Sequence, residues 1–390
     1  MNIGIDITPL IYRRGVSRYT SNLTQALAQQ KNLNLRLLGY SLRQKQWLLN
    51  QASQITDNAP RHQTKVQLLP QSLQKLLWRL RLNQVSNQFP DLDLFHSWDW
   101  LQPPDQNLPL VSTIHDLAIL KYPQTAKSNI VKAHRASWQI LKKRKAHIIA
   151  VSQSTKKDVI QLLKIPPWRV HVVPEALPEE IRQISQNLTE EEYDQIVRQL
   201  KLDQPYILFV GTREPRKNLL RLIKAWQPLA NDYQLLVAGA AGWDETSADQ
   251  AKFSHPSLRF LGRVSDQELN VLYAQAEVFA YPSLYEGFGL PILEAFYHGT
   301  PVLTSNISSM IEVAGNAAEL IDPEDVMAIR QGLENLLNET KEEQQKRLQR
   351  MVIRQQMFSW DKVAMDTIKV YQIAIDEWQS EQENKKRARD

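Results

Sequence analysis

Two glutamates stand eight positions apart in the stretch SLYEGFGLPILEAF, residues 283–296, with two glycines between them. Glu286 precedes the glycines, whereas Glu294 falls in the first turns of a helix that Pro291 is well suited to begin. Carboxylates accept hydrogen bonds from vicinal sugar hydroxyls, and glycines let backbone amides approach a ligand closely. The stretch therefore predicts that one glutamate holds a ribose, the other holds a second sugar, and the amides between them hold phosphates. The alternative is a surface turn residue followed by a partner for the helix dipole.

A cationic stretch, GTREPRKN at residues 211–218, follows the apolar run YILFVG. Gly211 allows a tight turn after the predicted strand, and a predicted helix comes next. The cations between them are Arg213, Arg216 and Lys217. Cations beside the free amides of a helix N-terminus bind phosphate, and each charge-assisted hydrogen bond contributes about 1.5–3 kcal/mol. The alternative is a solvated basic turn.

The first half of the chain offers His115 and Asp116, at the end of the apolar run LPLVSTIHD. His115 is suited to donate to a sugar oxygen or to steady developing charge, and the alternative is a structural hydrogen bond. Gly15 lies in a predicted loop over residues 8–18 that also follows a strand, so it is a candidate for contact with phosphates or an acceptor. The polar side chains around it are Arg13, Arg14, Ser17 and Arg18.

Strands that alternate with helices must position these residues, and such alternation predicts an α/β fold with parallel sheets covered on both faces. Ligands of such sheets bind outside the carboxyl ends of the strands, which is where the candidate residues lie. The predicted strands are 2–7, 33–40, 65–70, 91–97, 108–116 and 147–152, followed by 206–211, 234–239, 258–264, 277–283, 300–305 and 317–323.

An acidic, strand-free stretch divides this pattern into two doubly wound units. We predict a first domain over 1–175, a connector over 176–204, a second domain over 205–360, and a final helix with a frayed tail over 361–390. The final helix, predicted to end near residue 379, needs a partner surface for one apolar stripe. That stripe consists of Ala364, Ile368, Tyr371, Ile375 and Trp378.

The charge of the chain is divided unequally between its two halves. Residues 1–175 contain 24 Lys and Arg against 9 Asp and Glu, whereas the remaining residues contain 23 against 33. A basic half favours an anionic partner, such as nucleic acid, an anionic membrane or a phosphorylated acceptor, and the alternative is a merely basic surface. The 390 residues include no cysteine, which excludes disulfides and thiolate metal sites. No signal peptide and no run of about 18 apolar residues is apparent, so we expect a cytoplasmic protein.

Together these stretches resemble the retaining glycosyltransferases of the GT-B fold, specifically glycosyltransferase family four. The resemblance extends nearly end to end, and within the family it is greatest to bacterial mannosyltransferase-like members that build polysaccharide. It implies two Rossmann-like domains that face each other across a cleft, with the C-terminal helix crossing back to the first domain. The matching segments are the first loop with Gly15, STIHDL, VGTREPRKN, EGFGLPILE, GTPVLTSN and FSW.

The resemblance also implies roles for individual residues. Arg213 and Lys217 would bind and stabilise the departing diphosphate, His115 would contact the donor sugar, and Glu286 would contact its hydroxyls. Glu294 would hold the nucleotide ribose. The family is usually metal-independent, so no cofactor is expected besides a GDP- or UDP-type sugar donor. The remaining residues implied in donor binding are Gly15, Gly211, Thr212, Gly287, Phe288, Gly289 and Leu290.

Two positions depart from the family pattern. Ser17 stands where a second glycine is common, and the usual Asn-Gly after the last strand of the first domain reads PEA at 174–176, to which we assign no role. The implied reaction transfers a hexose, of mannose or glucose type, with retention to an acceptor hydroxyl in polysaccharide, lipopolysaccharide or glycolipid synthesis. The alternatives are a catalytically weak nucleotide-sugar-binding protein and an epimerase or phosphorylase on this fold. A dinucleotide oxidoreductase is disfavoured because neither half contains G-x-G-x-x-G after a strand.

The basic first domain also suits an acceptor held at a membrane. The stretch LQKLLWRLRL carries Leu73, Leu76, Leu77 and Leu80 on one face, and LKKRK at 141–145 adds a cationic cluster. Such segments bind anionic lipid, although one buried and one solvated helix face is an equal alternative. We therefore expect a saccharide or lipid-linked acceptor and peripheral contact with the inner face of the membrane. Nucleic acid is not expected, because no recognition motif accompanies the charge.

Overall fold

A computed structural model describes residues 1–12, 15–123, 126–242 and 255–388, so Arg13 and Arg14 lie outside the described residues. The chain divides into two compact units. Unit 1 comprises Met1–Leu117, Ala126–Glu175 and Ser359–Asp390, and unit 2 comprises Ala118–Thr125 and Ala176–Phe358.

Unit 1 is built on a seven-stranded parallel sheet in the order β3-β2-β1-β4-β5-β6-β7. Buried apolar residues such as Ile3 and Ile5 line its strands, as expected for a sheet covered on both faces. The strands are β1 Asn2–Asp6, β2 Asn34–Tyr40, β3 Gln63–Gln67, β4 Leu94–Trp98, β5 Leu110–Ile114, β6 His147–Ala150 and β7 Val170–Val172.

Seven helices of the described residues belong to unit 1. They are α1 Gly15–Ala28, α2 Lys45–Ile55, α3 Gln71–Arg79, α4 Val85–Gln88, α6 Ser128–Lys143, α7 Gln153–Leu163 and α16 Trp360–Arg387. Ser152 caps α7, and its side chain accepts a hydrogen bond from the amide of Thr155.

Unit 2 is built on a six-stranded parallel sheet in the order β10-β9-β8-β11-β12-β13. Its core contains Ile207 and Phe209 of the central strand together with Trp226 and Leu303. The strands are β8 Tyr206–Val210, β9 Gln234–Ala238, β10 Leu258–Gly262, β11 Val278–Tyr281, β12 Val302–Ser305 and β13 Glu319–Ile321. The helices of the described residues are α5 Ala118–Lys121, α8 Glu179–Asn187, α9 Glu190–Leu200, α10 Leu219–Trp226, α11 Asp266–Gln275, α12 Leu290–Tyr297, α13 Met310–Ala314, α14 Val326–Leu337 and α15 Lys341–Gln356.

In each sheet, the side on which successive strands are added changes at one place. In unit 1 the strand order reverses between β1 and β4, and in unit 2 it reverses between β8 and β11. Helices on either side leave a crevice at such a switch point, outside the carboxyl ends of the two strands. The loops that follow β8 and β11 therefore carry the candidate residues of unit 2 to this point.

The predicted strands all have counterparts, but several boundaries differ. The predicted first loop is largely helical, because a 3₁₀ turn spans Thr8–Tyr12 and α1 already begins at Gly15. The hydroxyl of Ser17 donates to the carbonyl of Pro9 over 2.6 Å, which joins these two pieces. The final helix continues to Arg387 instead of ending near residue 379. Within the described ranges, no helix has the length and apolar character needed to cross a membrane.

Candidate active site

The loop after β8 brings a lysine and an arginine to the switch point of unit 2. Gly211 leaves the strand with φ of 151°, and Pro215–Lys217 form a 3₁₀ turn. Asn218 then adopts a left-handed conformation before α10 begins. Its side-chain Nδ2 donates to the carbonyls of Pro282 and Pro323. These bonds fix the loop against the segments that follow β11 and β13.

Glu286 is the centre of this arrangement, because each of its carboxylate oxygens accepts a hydrogen bond from a different cation. Lys217 Nζ donates to Oε1 over 2.6 Å, and Arg216 Nη1 donates to Oε2 over 2.8 Å. Lys217 Nζ also donates to the hydroxyl of Tyr281 over 2.8 Å. The hydroxyls of Ser308 and Ser309 donate to the Glu286 carbonyl and hold its backbone. The first glutamate of the motif and two cations of the loop after β8 therefore form one buried cluster.

The charges of this cluster keep Glu286 ionised. Burial alone would raise the pKa of Glu286, but the charges of Lys217 and Arg216 outweigh it and lower the pKa to about 2. Burial lowers the pKa of Lys217 from its ordinary value, and the Glu286 carboxylate opposes that change. Burial also raises the pKa of Tyr281 well above its ordinary value, so this phenol stays neutral and is able to donate. Glu286 thus lies between two cations and beside one neutral hydroxyl, and Arg216 has a second carboxylate partner in Glu214.

Arg213 and Arg216 occupy different environments. The guanidinium of Arg213 lies 4.9 Å from the ring centroid of Phe260, a residue of β10. Arg216 is instead bound to Glu286, to Glu214 and to the carbonyl of Tyr285. Among the arginines of the stretch, Arg216 is the one that shares Glu286 with Lys217, whereas sequence reasoning paired Lys217 with Arg213.

Glu294 lies in the second turn of α12 and is buried. The hydroxyl of Tyr273 donates to its Oε2 over 3.0 Å. Gly289 precedes the helix with φ of 113°, a conformation that favours glycine. Phe288 packs edge-on against Phe358, and Leu290 begins the helix. The segment from Gly287 to Leu290 is therefore a tight turn into a helix N-terminus, as the sequence predicts.

Two glycines that sequence reasoning missed let the loops after β8 and β9 approach closely. A Cβ atom on Gly239 would lie 2.0 Å from the carbonyl oxygen of Gly211. One on Gly242 would lie 1.7 Å from the carbonyl oxygen of Arg213. The signal in the sequence is the run AGAAG at 238–242, which overlaps the end of the predicted strand 234–239.

In unit 1, His115 follows β5 and its Nδ1 lies 2.8 Å from Glu175 Oε1. Gly15 begins α1, and within the described residues a Cβ atom there would meet nothing within 4 Å.

In unit 2, Thr212 follows Gly211 in the loop after β8, and its carbonyl accepts a hydrogen bond from the amide of Glu214. The described residues include no group of three or more His, Asp or Glu side chains that could hold a metal ion.

The chain is similar to known proteins over most of its length. Residues 13–180 match the profile described as Glycosyltransferase Family 4, and residues 191–352 match Glycosyl transferases group 1. The chain is 32% identical over 275 residues to O-antigen chain mannosyltransferase B of Escherichia coli. This alignment covers 67% of this chain and 70% of that protein. It is 33% identical over 201 residues to the serotype-specific mannosyltransferase WbdA of Escherichia coli, which covers 49% of this chain and 24% of that protein.

A glycosyltransferase structure from Rickettsia africae superposes with a TM-score of 0.68 and 16% identity, covering 96% of this chain and 98% of that one. The two parallel sheets and this likeness define an α/β protein of the GT-B fold, which confirms the predicted fold class. The chain belongs to glycosyltransferase family 4 and is an enzyme of the hexosyltransferase class, group 1 type.

Proposed function

We propose that the chain transfers a hexose from a nucleoside diphosphate sugar to a saccharide hydroxyl, with retention of the anomeric configuration. Mannose is the favoured sugar, because two relatives that match the chain are named mannosyltransferases. The proposed product belongs to a cell-surface polysaccharide, because one of them is named for the O-antigen chain. The observation that carries the proposal is the buried cluster in which Glu286 binds Lys217 and Arg216.

This cluster suits a diphosphate leaving group. The ammonium of Lys217 has three N–H donors, of which Glu286 and Tyr281 receive two. A diphosphate beside Lys217 and Arg216 meets two fixed cations, of which Lys217 is buried and Arg216 is partly buried, and charge stabilisation there is stronger than in water. Glu286 keeps both cations in place before the donor binds. We propose that these cations stabilise the departing phosphate without a metal ion.

The two glutamates then have separate tasks. Glu286 holds the cations and, once they contact phosphate, its carboxylate accepts from the hydroxyls of the donor sugar. Glu294 accepts from the ribose hydroxyls, while Tyr273 fixes its second oxygen. The departing phosphate is the proposed base for the acceptor hydroxyl in a front-face attack. His115 is proposed to contact the donor sugar. Arg213, with Gly211 and Thr212, is proposed to support the phosphates from the loop after β8.

The test is an assay of GDP- and UDP-linked mannose and glucose with oligosaccharide acceptors, in the presence and absence of EDTA. The expected result is transfer from a mannose donor that EDTA does not abolish, with an α-linked product identified by NMR. A β-linked product from an α-linked donor would contradict retention. Donor hydrolysis without transfer would favour the weakly catalytic binding protein, and interconversion of the donor sugar would favour an epimerase. Phosphate-dependent cleavage of the acceptor chain would favour a phosphorylase.

We further propose a cytoplasmic enzyme that contacts the inner face of the membrane and takes a lipid-linked acceptor. The supporting feature is an exposed apolar surface on and beside α3, here called the leucine face: Leu68, Leu73, Leu76, Leu80 and Leu82. These side chains are 39–58% exposed, whereas Trp78 of the same helix is buried against Tyr40. Residues 41–90 around it contain seven Lys and Arg and one Asp. Exposed leucines within a cationic stretch of the chain match an anionic bilayer.

Cosedimentation with phosphatidylglycerol-containing vesicles tests this contact. We expect binding at low salt that weakens as salt is added, and at least a tenfold loss of binding in the variant L76E/L80E. The matched control is Leu162→Glu, because Leu162 is 44% exposed on α7 of the same unit. Absence of binding at low salt, or equal losses in both variants, would contradict the proposal.

A further inference from the structure

His115 and Glu175 form a pair that links the ends of two strands in unit 1. His115 follows β5 directly, and Glu175 follows β7 by three residues, with β6 between these strands in the sheet. Their Nδ1 and Oε1 atoms lie 2.8 Å apart. Glu175 is buried, with 6% of its surface exposed. A buried carboxylate at this distance is a charge-assisted partner and not a surface contact.

The surroundings of His115 fix the plane of its ring. Tyr19 of α1 meets the imidazole edge-on, with ring centroids 4.7 Å apart, and Trp98 stacks on it at 6.5 Å. The backbone is held as well, since the hydroxyl of Thr155 donates to the His115 carbonyl. Within the part of the chain that the structure describes, His115 Nε2 is buried and has no hydrogen-bond partner. The ring is thus held through Nδ1, and Nε2 is the nitrogen left for a ligand.

The charges around the pair favour the imidazolium form. Burial lowers the pKa of His115, but the hydrogen bond to Glu175 and the nearby carboxylates outweigh it and raise the pKa above its ordinary value. Those carboxylates are Glu175, Asp99 after β4 and Asp116 after β5. The other titratable groups that face the ring from packed elements are Tyr19 of α1 and His96 of β4. Burial raises the pKa of Tyr19 and lowers that of His96, so both are neutral near pH 7.

We propose that Glu175 is a positioning residue for glycosyl transfer: it binds His115 through Nδ1 so that Nε2–H donates to an oxygen of the bound saccharide. This inference rests on the proposed function, in which His115 contacts the donor sugar. It also gives a task to the segment PEA, to which the family resemblance assigned none. Since a protonated imidazole has an N–H on each nitrogen, one donates to Glu175 and the other to substrate.

Substitution of Glu175 tests the proposal with a readout that needs no substrate. Long-range ¹H–¹⁵N NMR of the full chain, assigned with His115→Gln, reports the tautomer and titration midpoint of His115. In Glu175→Gln we expect this midpoint to fall by about one pH unit or more, because the negative charge is removed. Glu175→Asp keeps the charge, so its midpoint should lie closer to that of the parent protein. An unchanged midpoint in folded Glu175→Gln would overturn the proposal.

The pH profile of transfer supplies the second readout. Because the protonated form of His115 donates, kcat/KM for the sugar donor should fall as pH rises through its midpoint. In Glu175→Gln this fall in kcat/KM, the alkaline limb of the pH profile, should move to lower pH by the same amount as the His115 midpoint. Affinity for GDP or UDP alone should stay within about twofold, since His115 contacts the sugar. A limb that stays in place while the midpoint moves would overturn the positioning role.

The matched control is a second His–Glu pair in the same unit. His147 Nε2 lies 2.8 Å from Glu377 Oε2. His147 begins β6, so this pair lies at the amino end of the parallel strands, whereas His115 follows the carboxyl end of β5. Glu377→Gln should leave the His115 midpoint and the pH limb unchanged, and equal effects of both variants would overturn the proposal. If the parent enzyme transferred no sugar, the proposed function would fail, while the NMR titration would still decide whether Glu175 controls His115.

Discussion

Glu286 joins two stretches of sequence that are about 70 positions apart, and this long-range contact organises the candidate site of unit 2. Its carboxylate holds Lys217 and Arg216 together, while the serines that bind its carbonyl fix where it stands. Removal of any one of these three charged side chains leaves the other two with altered charge balance. Substitutions here should therefore affect catalysis and stability to different extents.

Lys217→Ala should lower turnover far more than it lowers stability. Turnover should fall by about 10²-fold or more, because one preorganised cation at the leaving group is lost. Stability should fall less, because Arg216 still binds Glu286. The measurements are kcat with the mannose donor and urea unfolding, with Lys224→Ala as the control because Lys224 is exposed on α10. Unchanged turnover in Lys217→Ala would rule out its phosphate role.

Tyr273→Phe should weaken nucleotide binding less than Glu294→Ala does. The phenylalanine keeps the ring but removes the hydroxyl that donates to Glu294. We expect a loss of about threefold to tenfold in GDP or UDP affinity for Tyr273→Phe and a larger loss for Glu294→Ala, which removes the proposed ribose contact itself. Isothermal titration calorimetry compares them. Equal affinity of parent and Glu294→Ala would contradict the ribose assignment.

The ionised state of Glu286 should also appear in acid unfolding. Its folded pKa of about 2 lies below the ordinary value of 4.5, so its contribution to stability is complete above pH 4.5 and is lost as pH falls towards 2. The difference in unfolding free energy between parent protein and Glu286→Gln should therefore shrink over this window, by an amount on the order of 3 kcal/mol. Urea unfolding at several pH values measures it. A pH-independent difference would contradict the pKa assignment.

The sequence was sufficient to predict residues that a strand end or a glycine marks. His115, Lys217, Glu286 and Glu294 follow predicted strands, and the structure places each at the carboxyl end of a sheet or in the helix after it. The partners Arg216, Tyr281, Tyr273 and Glu175 could not be derived, because each pairing depends on side-chain contacts between distant segments. Arg213 and Arg216 illustrate this limit, since both follow the same strand and the sequence does not indicate that Arg216 is the one bound to Glu286.

At the scale of elements, α16 is attached to unit 1 by a buried polar bridge as well as by its apolar stripe. His96 of β4 lies between the hydroxyl of Tyr371 on α16, at 2.7 Å, and that of Thr113 on β5, at 2.8 Å. Burial and the charge of His115 lower the pKa of His96 to about 3, so it bridges the two hydroxyls as a neutral ring. The predicted stripe identified Ala364, Tyr371 and Ile375 correctly as buried. The helical spacing of apolar residues does not indicate the histidine bridge.

Tyr371→Phe should destabilise the protein by about 1–3 kcal/mol, because it leaves a buried ring nitrogen of His96 without its partner. Ile373→Ala is the control, since Ile373 is 44% exposed on the same helix and its loss should change stability little. Urea unfolding followed by tryptophan fluorescence compares them. An effect of Tyr371→Phe no larger than that of the control would show that the bridge adds nothing to the attachment of α16.

At the scale of the whole molecule, the two units use the chain differently. Unit 1 takes its sheet from the first 175 residues and its α16 from residues beyond 359, whereas almost all of unit 2 is continuous between them. The helices α8 and α9, which we predicted as a connector, are part of unit 2, where both contact α11. The sequence marks that connector as acidic and strand-free, but it does not indicate the surface on which its two helices pack.

Truncation of the chain after Phe358 should therefore destabilise unit 1. Without α16, the faces of β5 and β6 and of α1 that this helix covers become exposed. Hydrogen exchange should show lost protection in peptides from Met1–Leu117 and retained protection in 206–358, which keeps its own core. Retained protection throughout unit 1 would contradict this.

The placement of α16 also has a consequence for the order of events on the ribosome. Residues 176–358 emerge before the helix that completes unit 1, so the later-encoded unit is able to finish folding while the earlier one still waits for its last piece. During translation of the intervening residues, the nascent first sheet presents the uncovered ring of Tyr371's partner, His96, and the apolar surface around it. A chaperone that binds this nascent chain should therefore engage its N-terminal portion and leave when the final helix docks.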